Sequence, residues 1–240
     1  MAIGASGCGG ASDKPVLVVS AAASLQKSFT AYSQQFSAAA VRFSFAGSDA
    51  LAAQIQLGLR PDVFASANTT LPSMLHAKNL VEKPVVFSAN KLVLAAPASS
   101  REIAGLAGVE RPGVTLSIGS ATVPVGAYTQ TVLRRLPAAQ RRALLMNVKD
   151  TEPDVTGIIG KLTEGAVDAG FLYASDVAAT GGRLRAIPLP AALEPRVLYG
   201  AAVVRGTKHP VQARAFIAGL LRGAGQRDLR DAGFLAPPGR

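Results

Sequence analysis

The chain of 240 residues has one cysteine, two histidines, no tryptophan, and aromatic residues at only 5%. A single thiol, Cys8, excludes a disulfide framework and any cysteine-cluster metal site. His76 and His209 have no neighbours at metal-ligand or catalytic spacing and read as ordinary surface or core residues. The scarcity of aromatics leaves few platforms for stacking bases. The formal net charge is +10, but the basic residues come in scattered pairs, Arg134-Arg135 and Arg141-Arg142, not in one stripe, so no nucleic-acid partner is expected. No apolar run is long enough to span a bilayer. The signatures of a P-loop, a dinucleotide site, a zinc protease helix and a nucleophile elbow are all missing. Asp49, Asp62, Asp150, Glu152, Asp154, Glu164, Asp168 and Asp176 fall mostly at loops and helix ends, where they read as caps or solvated groups. No nucleophile and base are nominated, so neither an enzyme nor a cofactor is expected.

What is present is a packed α/β chain. Hydrophobic residues make up 49% and charged residues 17%, which excludes wholesale disorder. From Pro15 onward short apolar runs alternate with amphipathic stretches, the pattern of βα units with largely parallel sheets. Strands are predicted at 16–19, 41–45, 63–66, 92–96, 115–119, 169–173 and 201–204, and helices at 24–36, 49–59, 71–77, 128–136, 138–146, 155–163 and 211–221. Two stretches, Ser88–Lys91 and Glu194–Gly200, read as crossings between lobes. The expected division is a flexible leader at 1–14, a first lobe from 15–90 and 199–236, a second lobe from 91–198, and a tail at 237–240. Ligand sites in open α/β sheets lie outside the carboxyl ends of the strands, so both lobes would present helix starts to one cleft.

The informative feature is how the apolar runs end. Val16-Leu17-Val18-Val19 breaks into Ser20-Ala21-Ala22-Ala23-Ser24, and Phe43-Ser44-Phe45 into Ala46-Gly47-Ser48. Leu116-Ser117-Ile118 breaks into Gly119-Ser120-Ala121-Thr122 before Val123-Pro124-Val125-Gly126. A fourth helix start is read at Glu152-Pro153-Asp154-Val155-Thr156. A helix opening at a strand end leaves its first N–H groups unpaired and carries a partial positive charge. Several such starts around one cleft make an anion site that needs no Lys or Arg. Taken singly, Ser24 and Ser48 are ordinary N-cap residues; their repetition at equivalent points favours a shared site. Tyr173, ending the buried run Gly170-Phe171-Leu172, is placed to point its hydroxyl into the same space.

Two resemblances add to this reading. Ile3-Gly4-Ala5-Ser6-Gly7-Cys8 resembles the end of a bacterial lipoprotein signal, which implies a lipid anchor on Cys8 and an extracytoplasmic location. The body of the chain, from about Val16 to Phe234, resembles the periplasmic molybdate-binding proteins that feed an ABC transporter. The resemblance rests on Ala21-Ala22-Ala23-Ser24-Leu25, Phe45-Ala46-Gly47-Ser48, Ala65-Ser66-Ala67-Asn68, Val123–Tyr128, Asp154-Val155, Gly170–Tyr173 and Asp231–Phe234, in that order. It implies a type II periplasmic-binding-protein fold of two hinged lobes. It also implies a monomer that binds molybdate and tungstate and delivers them to a membrane permease. Position by position, it assigns hydroxyl and backbone N–H donation to Ser24 and Ser48, backbone N–H donation to Val125 and Val155, and a hydroxyl bond to Tyr173.

The chain departs from that pattern in two places. Val125 replaces a residue usually small, and Asp49 follows Ser48 where Ser or Thr is common. A carboxylate facing the cleft would repel a dianion, so Asp49 is expected to cap its helix and point away. The alternatives are a binding protein for another small oxyanion such as sulfate or phosphonate, an enzyme on the same fold, and a regulator's effector domain. An enzyme would place a Cys, Lys or carboxylate pair in the cleft, and a regulator would carry a helix-turn-helix, which this chain lacks.

Overall fold

The computed structural model describes residues 14–238, so the leader with Cys8 and the last two residues lie outside the described part. In chain order the first lobe contributes β1 (Val16–Ala22), α1 (Gln26–Gln35), β2 (Ala40–Ala46), α2 (Ser48–Gln56), β3 (Val63–Ser66), α3 (Thr70–Ala77) and β4 (Val85–Asn90). The second contributes β5 (Leu92–Pro97), α4 (Leu106–Val109), β6 (Leu116–Gly119), α5 (Pro124–Arg135), α6 (Ala138–Met146), β7 (Val148–Glu152), α7 (Val155–Thr163), β8 (Ala169–Tyr173), α8 (Ala174–Ala179) and β9 (Leu184–Pro188). The chain then returns to the first lobe as β10 (Val197–Val203), α9 (Pro210–Leu221) and α10 (Ala224–Asp231).

Two five-stranded sheets result, ordered β2-β1-β3-β10-β4 and β7-β6-β8-β5-β9. The pairs β1–β2, β1–β3, β6–β7 and β6–β8 are parallel, joined through crossover helices as parallel strands require. The sheets are nonetheless mixed where mainly parallel ones were expected. β10 runs antiparallel to β3 and β4, and β5 antiparallel to β8 and β9. Both strands enter their sheet from the other lobe, β5 after the single residue Lys91, so no crossover helix dictates their direction. The second crossing ends earlier than the sequence pattern implies, because Val197 and Leu198 already pair with Asn90 and Ala89 in the first sheet.

Burial explains which strands are legible. β3, β6 and β8 are buried along their whole length and read as continuous apolar runs. β7, at the edge of its sheet, has no fully buried residue and carries Lys149, Asp150 and Glu152, so its composition hides it. Four aromatic side chains pin the helices of the first lobe over their sheet. Phe29 of α1 is fully buried, with its ring centroid 5.6 Å from Phe216, 6.0 Å from Phe87 and 6.1 Å from Phe43. That anchoring holds the short 3-10 turn Ala23–Leu25 at the carboxyl end of β1.

Gly126 does the corresponding work in the second lobe. A Cβ added there would lie 1.8 Å from the Ser120 carbonyl oxygen and 2.4 Å from that of Gly119, so only glycine lets the first turn of α5 lie against the end of β6. Gly126→Ala is expected to cost about 2–3 kcal/mol through overpacking against backbone. Gly160→Ala in α7, where an added Cβ meets nothing, should stabilise by up to about 1 kcal/mol. Denaturant midpoints of the two variants check both signs.

Candidate functional site

The carboxyl ends of β1, β2, β6, β7 and β8 converge on one cavity between the lobes, with about 230 Å³ of empty space including its mouth. The first lobe lines it with Ala22, Ala23, Ser24, Ala46, Gly47, Ser48 and Ala67. The second lines it with Val123, Pro124, Val125, Asp154, Val155 and Tyr173. All five residues singled out in the sequence are therefore brought together. No Lys or Arg is among the lining residues. The lobes meet closely at this point, since a Cβ on Gly47 would stand 2.5 Å from the Pro153 carbonyl oxygen across the cleft.

Neither serine is a helix cap. The N-cap of α2 is Gly47, and Ser48 is the first helical residue, 1% exposed, with its Oγ accepting the Ala67 N–H at 3.1 Å. That bond occupies a lone pair and leaves the Ser48 proton free to donate. Ser24 sits in the 3-10 turn, and its Oγ is 3.0 Å from the Tyr199 hydroxyl. Asp49 is absent from the lining, but the expectation that it caps α2 and points away is met only in part. The N-cap is Gly47, and Asp49 is the second helical residue, with its Oδ1 accepting the Ala50 N–H at 2.8 Å. A Cβ on Gly47 would stand 2.9 Å from that oxygen.

The backbone donors follow from helix position. α5 begins with Pro124, which has no N–H, so Val125 is the first residue of that helix able to donate. Val155 opens α7 behind the N-cap Asp154, whose side chain accepts the Thr156 N–H at 2.7 Å. In the first turn neither Val125 nor Val155 has an intrahelical acceptor. Asp154 is the one charged residue of the lining, and the sequence pattern identified it only as a helix cap. Its negative charge is set against the positive end of α7.

Tyr173 supplies the decisive detail. It is 1% exposed, and its hydroxyl has no hydrogen-bond partner among the described residues. Burial, reinforced by Tyr199, Tyr128 and Asp176, holds its pKa well above the ordinary tyrosine value, so the hydroxyl keeps its proton. Tyr173 packs edge-on to Tyr199 at 5.7 Å and to Tyr128 at 6.4 Å, which gathers three of the chain's four tyrosines behind the cavity. Sequence reasoning missed Tyr199 because it was absorbed into the crossing Glu194–Gly200. A phenol inside the apolar run 197–203 was the available signal.

A cavity between two lobes, lined by hydroxyls and helix starts and by no Lys or Arg, has the form of a small-ligand binding site. The sequence agrees with this class. Residues 17–235 match the family model described as bacterial extracellular solute-binding protein. The molybdate-binding protein ModA of Mycobacterium tuberculosis (strain H37Rv) is 36% identical over 227 residues, covering 92% of this chain and 85% of that protein. This chain belongs to the bacterial extracellular solute-binding proteins, in the branch of the molybdate-binding ModA family. The periplasmic molybdate-binding protein of Azotobacter vinelandii superposes with a TM-score of 0.80 at 20% identity, over 92% of this chain and 99% of that one. The sulfate-binding protein SubI of M. tuberculosis superposes with a TM-score of 0.83 at 17% identity, over 94% and 88%. Both share the two-lobed fold expected from the sequence. The family is one of binding proteins, not enzymes.

One buried acid of this solute-binding protein lies just behind the site. Asp176 is 3% exposed and its Oδ2 accepts the Tyr173 N–H at 3.1 Å. Burial pushes its carboxyl up to about 7, with Asp154 adding to the rise and the Tyr173 N–H opposing it. An unfolded Asp ionises near 3.9, so between roughly pH 4 and 7 the unfolded chain loses a proton that the folded one keeps. Stability from this group is therefore full below about pH 4, falls as pH rises to about 7, and is flat beyond. Asp176→Asn should remove that slope and, near pH 8, stabilise the fold by about 2–4 kcal/mol. Thermal melts across pH test it, and an unchanged slope in the variant refutes it.

Proposed function

We propose that this protein captures molybdate, and tungstate with it, outside the cytoplasm and delivers the anion to the permease of an ABC importer. The observation that carries the reading is the fully buried, unpartnered hydroxyl of Tyr173 in a cavity with no cation. In this reading Ser24 and Ser48 donate through hydroxyl and backbone N–H, Val125 and Val155 through backbone N–H, and Tyr173 through its hydroxyl. The kinship with molybdate-binding proteins at 36% identity supports the choice of ligand. The protein acts as a monomer, tethered through a lipid on Cys8.

Selectivity follows from what the lining can offer. Molybdate and tungstate are fully deprotonated tetrahedral dianions that only accept hydrogen bonds. Phosphate near neutral pH retains a proton, and an O–H turned toward the hydroxyl and N–H donors lacks an acceptor at a cost of roughly 1–3 kcal/mol. The one carboxylate of the lining, Asp154, already takes the Thr156 N–H on Oδ1 and by its charge opposes a dianion. Sulfate is acceptor-only too and is discriminated by its shorter bonds, which leave donors set for a larger anion at stretched, weak distances. Closure of the lobes excludes water and strengthens each charge-assisted bond.

A tight ligand raises apparent stability by mass action. Molybdate and tungstate are expected to raise the melting temperature strongly at concentrations where sulfate and phosphate do not. A shift with sulfate alone would overturn the assignment. Ser48→Ala should weaken molybdate binding by about 1.5–3 kcal/mol, the scale of a hydrogen bond to a charged group, and Tyr173→Phe by less. Titration calorimetry measures both, and an unchanged affinity in Ser48→Ala would remove that hydroxyl from the site.

A further inference from the structure

The end of the first lobe opposite the cavity has a composition of its own. Lys14 and the start of β1, the carboxyl ends of α2 and α3, the end of β10 and the start of α9 all meet there. Hydrogen bonds tie these segments together. The Asp62 carboxylate takes the Val18 N–H at 2.6 Å and the Thr207 hydroxyl, Lys78 donates to Gln56, and the Arg205 N–H donates to the Leu80 carbonyl at 2.9 Å. Of the large apolar side chains exposed among the described residues, four stand at this end: Val18 is 40% exposed, Leu59 51%, Val211 71% and Leu57 88%. Around them Lys14, Arg60, Lys78, Arg205 and Lys208 are all exposed.

The acids of this end do not balance those cations. Asp62 is 5% exposed and committed to the bonds just described, Glu82 is paired with Arg214, and Asp228, bonded to Gln35, is flanked by Arg227 and Arg230. The matching end of the second lobe is mixed in sign, with Glu102, Glu110, Glu164 and Asp168 among its cations. Exposed leucines ringed by cations suit a surface that lies on anionic lipid, with the alkyl groups at headgroup depth and the cations on phosphates.

We propose that this end of the first lobe rests on the anionic surface of the membrane, with Leu57 and Leu59 at headgroup depth. The proposal goes beyond the anion-binding reading and draws on one part of it, the tether on Cys8. Cys8 stands six positions before Lys14, a stretch that reaches at most about 20 Å. A lipid on that thiol therefore brings to the membrane the end where Lys14 joins the fold. The cavity lies at the opposite ends of the same strands, so this seating leaves its lining clear of the lipid.

The test is cosedimentation of the full chain carrying Cys8→Ser, which no lipid can modify, with vesicles of phosphatidylcholine alone or mixed equally with phosphatidylglycerol. At low salt the chain is expected to bind the mixed vesicles at least about tenfold more tightly than the neutral ones, and to lose most of that preference at high salt. Arg60→Glu with Lys208→Glu should weaken binding to the mixed vesicles by at least about tenfold, and Leu57→Ser with Leu59→Ser by about fivefold. Arg141→Glu with Arg142→Glu, the same charge change on the second lobe, should cost less than about twofold. Every variant should keep the melting temperature of the parent chain and its shift with molybdate, which shows that the fold and the cavity are intact. Equal losses from the two charge reversals would mean that only net charge is felt and would overturn the proposal, as would no preference for phosphatidylglycerol. A dimer that the leucine variant dissociates in ultracentrifugation would make the patch a contact between copies and overturn it too. The two readings fail separately, since vesicle binding is measured without molybdate and without lipid on Cys8.

Discussion

A buried hydrogen-bond donor with nothing to bond is costly, and this fold gathers several of them around a single small space. Helices α2, α5 and α7 and the turn after β1 all begin at carboxyl ends of strands facing that space. Each brings N–H groups that cannot be satisfied within its own first turn. The Tyr173 hydroxyl adds a donor that burial keeps protonated and that no described residue accepts from. The architecture exists to hold these groups in place. The aromatic cluster around Phe29 fixes the first lobe's turn, and the bare Cα of Gly126 lets α5 approach the end of β6. In the proposed function, an oxyanion completes the hydrogen bonding that folding leaves unfinished.

The same logic explains why both lobes are needed. Ser24 and Ser48 belong to the sheet built on β1, while Val125, Val155 and Tyr173 belong to the sheet built on β6 and β8. Neither lobe alone surrounds a tetrahedral ligand. Where they meet, Gly47 faces the Pro153 carbonyl with no space for a side chain. The tyrosines behind the cavity join the lobes as well: Tyr128 accepts the Leu198 N–H at 3.4 Å, and Tyr199 in the first sheet packs on Tyr173 in the second. The ligand-facing hydroxyls are thus backed by groups that span the crossings.

Much of this was legible in the sequence because the site lies where two local signals coincide, the end of an apolar run and the start of an amphipathic one. The strands 63–66 and 169–173 and the helices 138–146 and 155–163 stand where the pattern placed them. The strands that escaped notice do not look like strands. β7 is a half-exposed, charged edge, β4 was missed because Ser88–Lys91 reads as a crossing and leaves only Val85-Val86-Phe87 as an apolar run, and β9 mixes Arg185 and Pro188 with its buried Leu184 and Ile187. α8 is built of small residues with no periodic apolar face, and α10 is dominated by charge, with Asp228 meeting Gln35 of α1 across the surface. The mixed direction of the sheets was not legible, because the direction of β5 and β10 is decided by tertiary entry from the opposite lobe. Nor were the partners of Ser48 and Ser24. A serine at a strand end reads locally as a cap, and only the fold shows that one hydroxyl is held by Ala67 and the other by Tyr199.

The absence of a cation from the cavity, in a chain with 25 basic and 15 acidic residues, is the arrangement that selection requires. A lysine or arginine in the pocket would strengthen the hold on every small anion through a nearly non-directional attraction, and would discriminate little among dianions of equal charge. Neutral donors act differently. Their attraction depends on distance and angle, so anion size registers in each bond. A ligand O–H that meets them, and not the Asp154 carboxylate, finds no acceptor. Any long-range attraction of anions by the net charge of +10 would act from outside the lining, which holds no Lys or Arg. Attraction at long range and selection at short range are thereby assigned to different groups. That division lets a strongly basic protein hold its anion in a pocket whose only formal charge, on Asp154, is negative.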